Sequence, residues 1–380
     1  MKKRAISILL TAAMAASALA VGTVTVSAEE EKEKFVIGMS QCNLGEPWRV
    51  AMNDQIERAA EKYPEFEVIF AGAAQDNSKQ IADIENFVQM GVDLLLVSPN
   101  EATPLTNAVS AAYDAGIPVI LLDRKIDGDK YTQFIGADNV EMGRVAGEYV
   151  ADVLLPDGGK VCEIKGLEGT SGGIDRDKGF REGIAKNENI EIVAENNADW
   201  LREKAITVAE EMLQTNDEID LFIALNDPMA EGAYIAAKNA GREGDIMFIG
   251  FDGLATPDGG IRSVIDGRLS MTQVYPTGGA EAIESAYQLL VEGKELDKTL
   301  TLESEVVTPD TAEELLAKYS GSEDGEAAEE TTEDAAAEEE ATEETAAEEE
   351  TADDAAAEEE ATDDAATEEA AEDTEKAAEE

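Results

Sequence analysis

Residues 91–124 read GVDLLLVSPNEATPLTNAVSAAYDAGIPVILLDR, and residues 218–253 read EIDLFIALNDPMAEGAYIAAKNAGREGDIMFIGFDG. Both stretches run through the same order: Asp, apolar run, polar turn, amphipathic helix, Ala-Gly stop, apolar run, acidic residue. Short apolar runs joined by helices mark a parallel sheet buried on both faces. Ligands of such sheets sit outside the carboxyl ends of the strands. Here those ends carry Asp123-Arg124, Asn226-Asp227 and Asp252. Two copies predict an α/β chain with two similar doubly wound parallel-sheet lobes and a cleft between them.

Working outward, FVIGMS (residues 35–40) and FEVIFAG (66–72) read as strands around a helix over 48–62. Asp76 caps a helix with Ile81, Ile84 and Val88 on one face, and Gly91 stops it. Thr103, with Pro104 at the first helical position, opens the next helix. The scheme restarts near Ala137, with helices over 140–154, 174–187 and 201–215 and strands at KVCEIKG and IEIVAE. After a strand over 269–274, the helix over 277–292 has no strand of its own in the second lobe and crosses back to the first. Lobe 1 is therefore expected at 35–137 plus 276–300, and lobe 2 at 138–275 plus 301–320. Several crossings make a hinge suited to closure around a ligand.

The ends of the chain carry other messages. Lys2, Lys3 and Arg4 precede an apolar stretch that ends in Val26-Ser27-Ala28, which reads as an export signal over 1–28, followed by a charged linker over 29–34. A membrane anchor is the competing reading. No cysteine follows to carry a lipid, so the mature chain is expected to be exported and soluble. From Gly321 onward the chain is mostly Ala, Glu, Asp and Thr with Lys376 as its sole basic residue, and DAAAEEEAT occurs twice. Without large apolar residues this segment is expected to be disordered. It serves either as a solvating tail or as a cation-binding or wall-spacing element. It holds about half of the formal charge of −56, so the acidic balance says little about the folded part. No basic face offers itself to nucleic acid.

Histidine is absent. Ser-His-Asp and Cys-His nucleophiles and His-ligated zinc are thereby excluded, and no cofactor or metal is implied. Cys42 and Cys162 fall on the first strands of different lobes, where a disulfide would oppose movement of the cleft, so two free thiols are expected.

Trp48 and Trp200 are the two tryptophans, each between a strand and a helix with an arginine nearby, Arg49 and Arg202. An indole offers a flat apolar face to the C–H face of a sugar ring and one N–H at its edge. Packing beside a helix is the plainer use. Asp123-Arg124 joins an acceptor for vicinal hydroxyls to a planar donor fork, a pair that reads polyols well. Arg176, Asn226-Asp227 and Phe251-Asp252 extend the set. Arg and Asp in similar numbers suit a neutral, hydroxyl-rich ligand. The loop GLEGTSGG over 166–173 matches neither phosphate-binding spacing. Its glycines serve either a phosphate or a close approach of backbone to the ligand or the other lobe.

Taken together, the Trp48-Arg49 turn, PVILLDR, GT…IDRDKGF, ADW, NDPMAEGA and GFDG resemble the type I periplasmic sugar-binding proteins, the ribose-binding group and most closely its galactofuranose-binding branch. The similarity covers about residues 35–319. It implies a two-lobed receptor that delivers a sugar to an ABC permease. By resemblance Trp48 and Trp200 flank the sugar with Phe251 alongside, and Asp123, Arg124, Arg176, Asn226 and Asp252 bind its hydroxyls. Arg49 follows the Trp as in the galactofuranose branch, and Gln273 falls near a hinge-side polar residue of the family. The disulfide of that branch finds no support in this cysteine pattern.

The expectation is thus a monomeric, non-catalytic receptor for a pentose or hexose, in a furanose form such as galactofuranose among the options. The permease is its partner. A sensor subunit that presents the closed form to a chemoreceptor or membrane kinase is the alternative. A glycosidase would have to use paired carboxylates such as Asp123 and Asp252. A sugar-responsive DNA-binding regulator would need a helix-turn-helix where the export segment stands.

Overall fold

Residues 34–320 are described by the computed structural model; the expected export signal and the acidic tail lie outside the described residues. In the first lobe, β1 (Phe35–Gln41), β2 (Phe66–Gly72), β3 (Leu94–Ser98), β4 (Val119–Leu122) and β5 (Gln133–Ala137) alternate with α1 (Pro47–Ala60), α2 (Asn77–Met90) and α3 (Ala102–Asp114). β3 and β4 are wholly buried, which accounts for their unbroken apolar sequence. The sheet is parallel, in the order β2-β1-β3-β4-β5, with β11 (Thr299–Leu302) added beyond β5. The predicted Asp76 cap and Gly91 stop of α2 are both present: the Asp76 carboxylate accepts from the Ser78 and Lys79 amides, and Gly91 sits at φ 69°.

The second lobe repeats the pattern around β6 (Gly159–Lys165), β7 (Ile190–Asn197), β8 (Leu221–Ala224) and β9 (Met247–Ile249), in the order β7-β6-β8-β9. Its helices include α4 (Asn139–Tyr149), which passes into a π-helical turn at Val150–Leu154, α5 (Ser171–Ile184), α6 (Arg202–Thr215) and α7 (Asp227–Asn239). α4 and α5 touch backbone to backbone: a Cβ on Gly179 would stand 1.9 Å from the Val140 carbonyl oxygen. That approach sets α5, and the Arg176 it carries, against the start of α4.

Two helix starts fall two or more residues earlier than the sequence predicts. α5 begins at Ser171 instead of Ile174, and Gly173 packs closely there: a Cβ on it would stand 2.9 Å from Thr170 Oγ1 and 3.3 Å from the Trp200 ring. Tertiary contact, and not helix propensity, favours that glycine in the helix. α3 begins at Ala102, and Thr103 donates to Asp127 instead of capping. Pro104 is tolerated there, since the first turn has no intrahelical partner for its missing N–H.

Three crossings join the lobes. After β5 the chain enters α4; after α8 (Gly260–Ile265) and β10 (Thr272–Val274) it returns to α9 (Gly279–Leu290), which packs on α1. It pairs in the first sheet through Leu302, then β12 (Glu305–Val307) runs antiparallel to β10, and α10 (Ala312–Tyr319) packs on α8. Cys42 and Cys162 are buried free thiols.

Candidate functional site

The carboxyl ends of both sheets converge on one small pocket between the lobes. Lobe 1 contributes Glu46, Trp48, Arg49, Asp123 and Arg124; lobe 2 contributes Gly172, Arg176, Trp200, Asn226 and Asp252; Tyr275 enters from the second crossing. Eight of the residues singled out in the sequence therefore meet here: Trp48, Arg49, Asp123, Arg124, Arg176, Trp200, Asn226 and Asp252.

On lobe 1 the acid is already paired. The Asp123 carboxylate receives Arg49 Nη2 at 2.5 Å and the Tyr275 hydroxyl at 2.6 Å, with Arg124 Nε at 3.5 Å. Burial would raise its pKa, but the guanidinium groups of Arg49 and Arg124 and the Tyr275 hydroxyl hold it below the usual carboxylate range. Arg124 reaches on to the Asn100 carbonyl at 2.9 Å, and Arg49 to Ser98 Oγ at 2.8 Å. Trp48 stacks on Tyr275, with centroids 5.0 Å apart and planes 8° from parallel, and donates its indole N–H to the Tyr275 carbonyl at 2.7 Å.

Lobe 2 leaves groups unsatisfied. Among the described residues nothing donates a hydrogen bond to the Asp252 carboxylate, although the residue is only 7% exposed. Burial, and then the negative charge of Asp227, push its pKa well above the ordinary value. The Trp200 indole N–H is also buried without a partner. Its ring lies against the backbone at Gly166, where a Cβ would come within 2.1 Å, and the guanidinium carbons of Arg124 and Arg176 stand 5.5 and 5.9 Å from its centroid. Arg176 is held by Asn139 Oδ1 and the Leu225 carbonyl, both at 2.6 Å.

Asn226 caps α7 through its carbonyl oxygen, which accepts the Met229 amide, while its NH₂ donates to the Trp200 carbonyl at 3.1 Å. It therefore positions the indole as well as lining the cavity.

Three sequence candidates do not line it. Asp227 turns away, accepting from the Gly253 amide and Thr272 Oγ1, both at 2.7 Å. Phe251 is fully buried behind Arg176, whose guanidinium lies 5.3 Å from the ring centroid. Gln273 sits in the hinge, donating to the Met142 carbonyl at 2.8 Å and accepting from Ser304 at 3.4 Å. Glu46 and Tyr275 were not anticipated. The signal for Glu46 is its place at the N-cap of α1, one turn before Arg49; Tyr275 precedes Pro276 at a crossing, a position with no periodicity to mark it.

Aromatic faces, a donor-rich arginine set and a free acceptor can together stack a small ring and bond its hydroxyls. Comparison with known proteins places this geometry in context. A family described as periplasmic binding protein domain matches residues 37–295. The ribose import binding protein of Bacillus subtilis (strain 168) is 36% identical over 272 residues, spanning 71% of this chain and 86% of that protein. The galactofuranose-binding protein of Escherichia coli (strain K12) is 32% identical over 296 residues, spanning 75% and 91% respectively. Among solved structures, the fructose-binding periplasmic domain of a hybrid two-component system aligns with a TM-score of 0.72 at 41% identity, over 75% of this chain and 94% of that one.

Proposed function

This chain belongs to the periplasmic binding protein domain family, and from that premise we propose that it captures a neutral monosaccharide between its lobes and delivers it to an ABC permease. The observation that carries the reading is the Asp252 carboxylate, buried between the lobes with no protein donor while three arginines and two indoles surround the same space. A ligand hydroxyl supplies the missing donor, and the indoles cover the ring faces. Relatives named for ribose and galactofuranose support the sugar class. Residues 1–28 direct export and are removed, the receptor acts as a monomer, and it performs no catalysis.

Each lobe holds part of the ligand's partners, so only a molecule that touches both stabilises the closed arrangement. Micromolar binding would correspond to roughly −8 kcal/mol, within reach of stacking plus several charge-assisted bonds. The test is a thermal-shift screen against free pentoses, hexoses and myo-inositol, followed by calorimetry. Arg124→Ala is expected to lower the affinity of the sugar so found by about tenfold or more, with the fold retained. An unchanged isotherm would remove this site from the proposal.

A sensor role has one specific observation in its favour, the likeness to the sugar-binding domain of a two-component system. Loss of sugar uptake on deletion of the gene supports transport; normal uptake with altered sugar-induced transcription supports the sensor.

A further inference from the structure

Two short turns face each other across the rim of the cleft, and both hold non-glycine residues in the left-handed region. Ala74 and Gln75 on lobe 1 have φ of 52° and 61°; Asp199 and Trp200 on lobe 2 have φ of 53° and 72°. Such conformations are uncommon and persist where the surroundings over-determine them. Each turn is pinned at its base. On lobe 1 the Gln75 amide donates to the Cys42 carbonyl and the Ala73 amide to Gln41, both at 2.9 Å. On lobe 2 the Ala198 amide donates to Lys165 at 2.8 Å and the Leu201 amide to Ala198 at 2.9 Å.

Between the turns, Gln75 Nε2 donates to the Asp199 carbonyl at 3.1 Å. Two neighbouring bonds also cross the rim, Ala102 amide to Gly169 carbonyl at 3.2 Å and Lys125 amide to Ser171 Oγ at 2.9 Å. The Gln75 bond differs from these in what it holds. The peptide it grips belongs to the turn that places the Trp200 indole on Gly166 and beside Arg124 and Arg176. Gln75 itself does not line the cavity.

We propose that Gln75 is a positioning residue for ligand capture: its amide ties the Asp199–Trp200 turn to lobe 1, so that stacking on the indole and closure of the lobes hold each other in place. The proposal rests on the sugar-capture reading above. Because Gln75 does not line the cavity, it sets how long any sugar stays and not which sugar is preferred. A residue in direct contact would alter the ranking among sugars.

The experiment uses the full chain and tryptophan fluorescence in stopped flow, with D-ribose, D-fructose, D-allose and myo-inositol as probes. Gln75→Glu keeps the side-chain length and removes the donor; Gln75→Ala removes both; melting curves without sugar check folding. For every probe that binds the unmodified protein, both variants are expected to dissociate about three- to tenfold faster, the worth of one hydrogen bond. Association rates and the ranking among probes are expected to stay the same. Unchanged dissociation in Gln75→Glu, or a reordered ranking, overturns the proposal. If no probe binds the unmodified protein, the sugar reading fails on its own. The latch is then judged by hydrogen exchange at the Leu201 amide, where faster exchange in Gln75→Glu supports it and equal exchange refutes it.

Discussion

Asp123 and Asp252 occupy matching points of the two repeated stretches, one just after β4 and the other just after β9. Both have positive φ, 63° and 124°, and both are nearly buried, at 5% and 7% exposure. Their surroundings then diverge. Asp123 is saturated by Arg49, Arg124 and Tyr275, whereas Asp252 has no donor and a second carboxylate, Asp227, nearby. Burying a charge is costly unless it is paired, so lobe 1 supplies an acid that is already paired and lobe 2 an acceptor that only the cavity can satisfy. The duplicated sequence builds the frame twice but assigns the two acids different work.

Removing the saturated acid should have the largest effect. Asp123→Asn removes the closer counter-charge of the buried Arg49 guanidinium and leaves it Glu46, 3.9 Å from Nε, and that Nε already lacks a hydrogen-bond partner. Breaking a buried pair on one side costs about 3–5 kcal/mol, read as a lower urea midpoint. The pH dependence follows from the lowered pKa of Asp123. Its stabilisation is complete above the unfolded value near ~3.9 and is lost as pH falls through the folded value. The variant should therefore show a weaker acid-side decline than the unmodified protein.

Much of this contrast could be read from the chain, and the unread part has a physical reason. Strand-end acids, the flanking tryptophans and the hinge crossings follow from local pattern, because a parallel sheet always delivers its carboxyl ends to one side. The saturation of Asp123 does not. Its partner Tyr275 lies 152 positions away and meets it only because the second crossing returns to lobe 1. Asp227 shows the opposite difficulty. It looks like a ligand acceptor in sequence, yet Gly250 and Gly260 leave room for its carboxylate to fold inward: a Cβ on Gly260 would lie 1.8 Å from Asp227 Oδ2. One strand-end polar pair thus divides its work, Asn226 lining the cavity and Asp227 bracing the structure, and nothing in the spacing distinguishes them. Phe251 belongs to the same class, an aromatic at a strand end that backs Arg176 instead of lining the cavity.

Asp252→Asn should separate the two acids by reversing the sign of the stability effect. Lost charge-assisted bonds are expected to weaken sugar binding by about 1.5–3 kcal/mol in calorimetry. Without sugar the variant should be at least as stable as the unmodified protein at neutral pH. Its raised folded pKa means that ionisation of Asp252 opposes folding as pH rises from the unfolded value of about 3.9 towards the folded one. The melting-point advantage of the variant should grow across that interval and vanish near pH 4. An advantage that is absent at every pH would mean that Asp252 has a donor in the unliganded protein, and the contrast with Asp123 would collapse.

The smallest effect sharpens the lobe 1 side. Tyr275→Phe keeps the stack on Trp48 and removes only the hydroxyl that donates to Asp123 Oδ1. One bond to a charged group is worth about 1.5 kcal/mol at the low end, so the urea midpoint should fall by less than half of the Asp123→Asn shift. The two changes share a partner and should not add: with Asp123 already replaced, Tyr275→Phe should cost less than it does alone. Full additivity in that cycle would show that the hydroxyl serves Asn139, which donates to it at 3.3 Å, and not the acid. The lobe 1 acid would then rest on Arg49 and Arg124 alone.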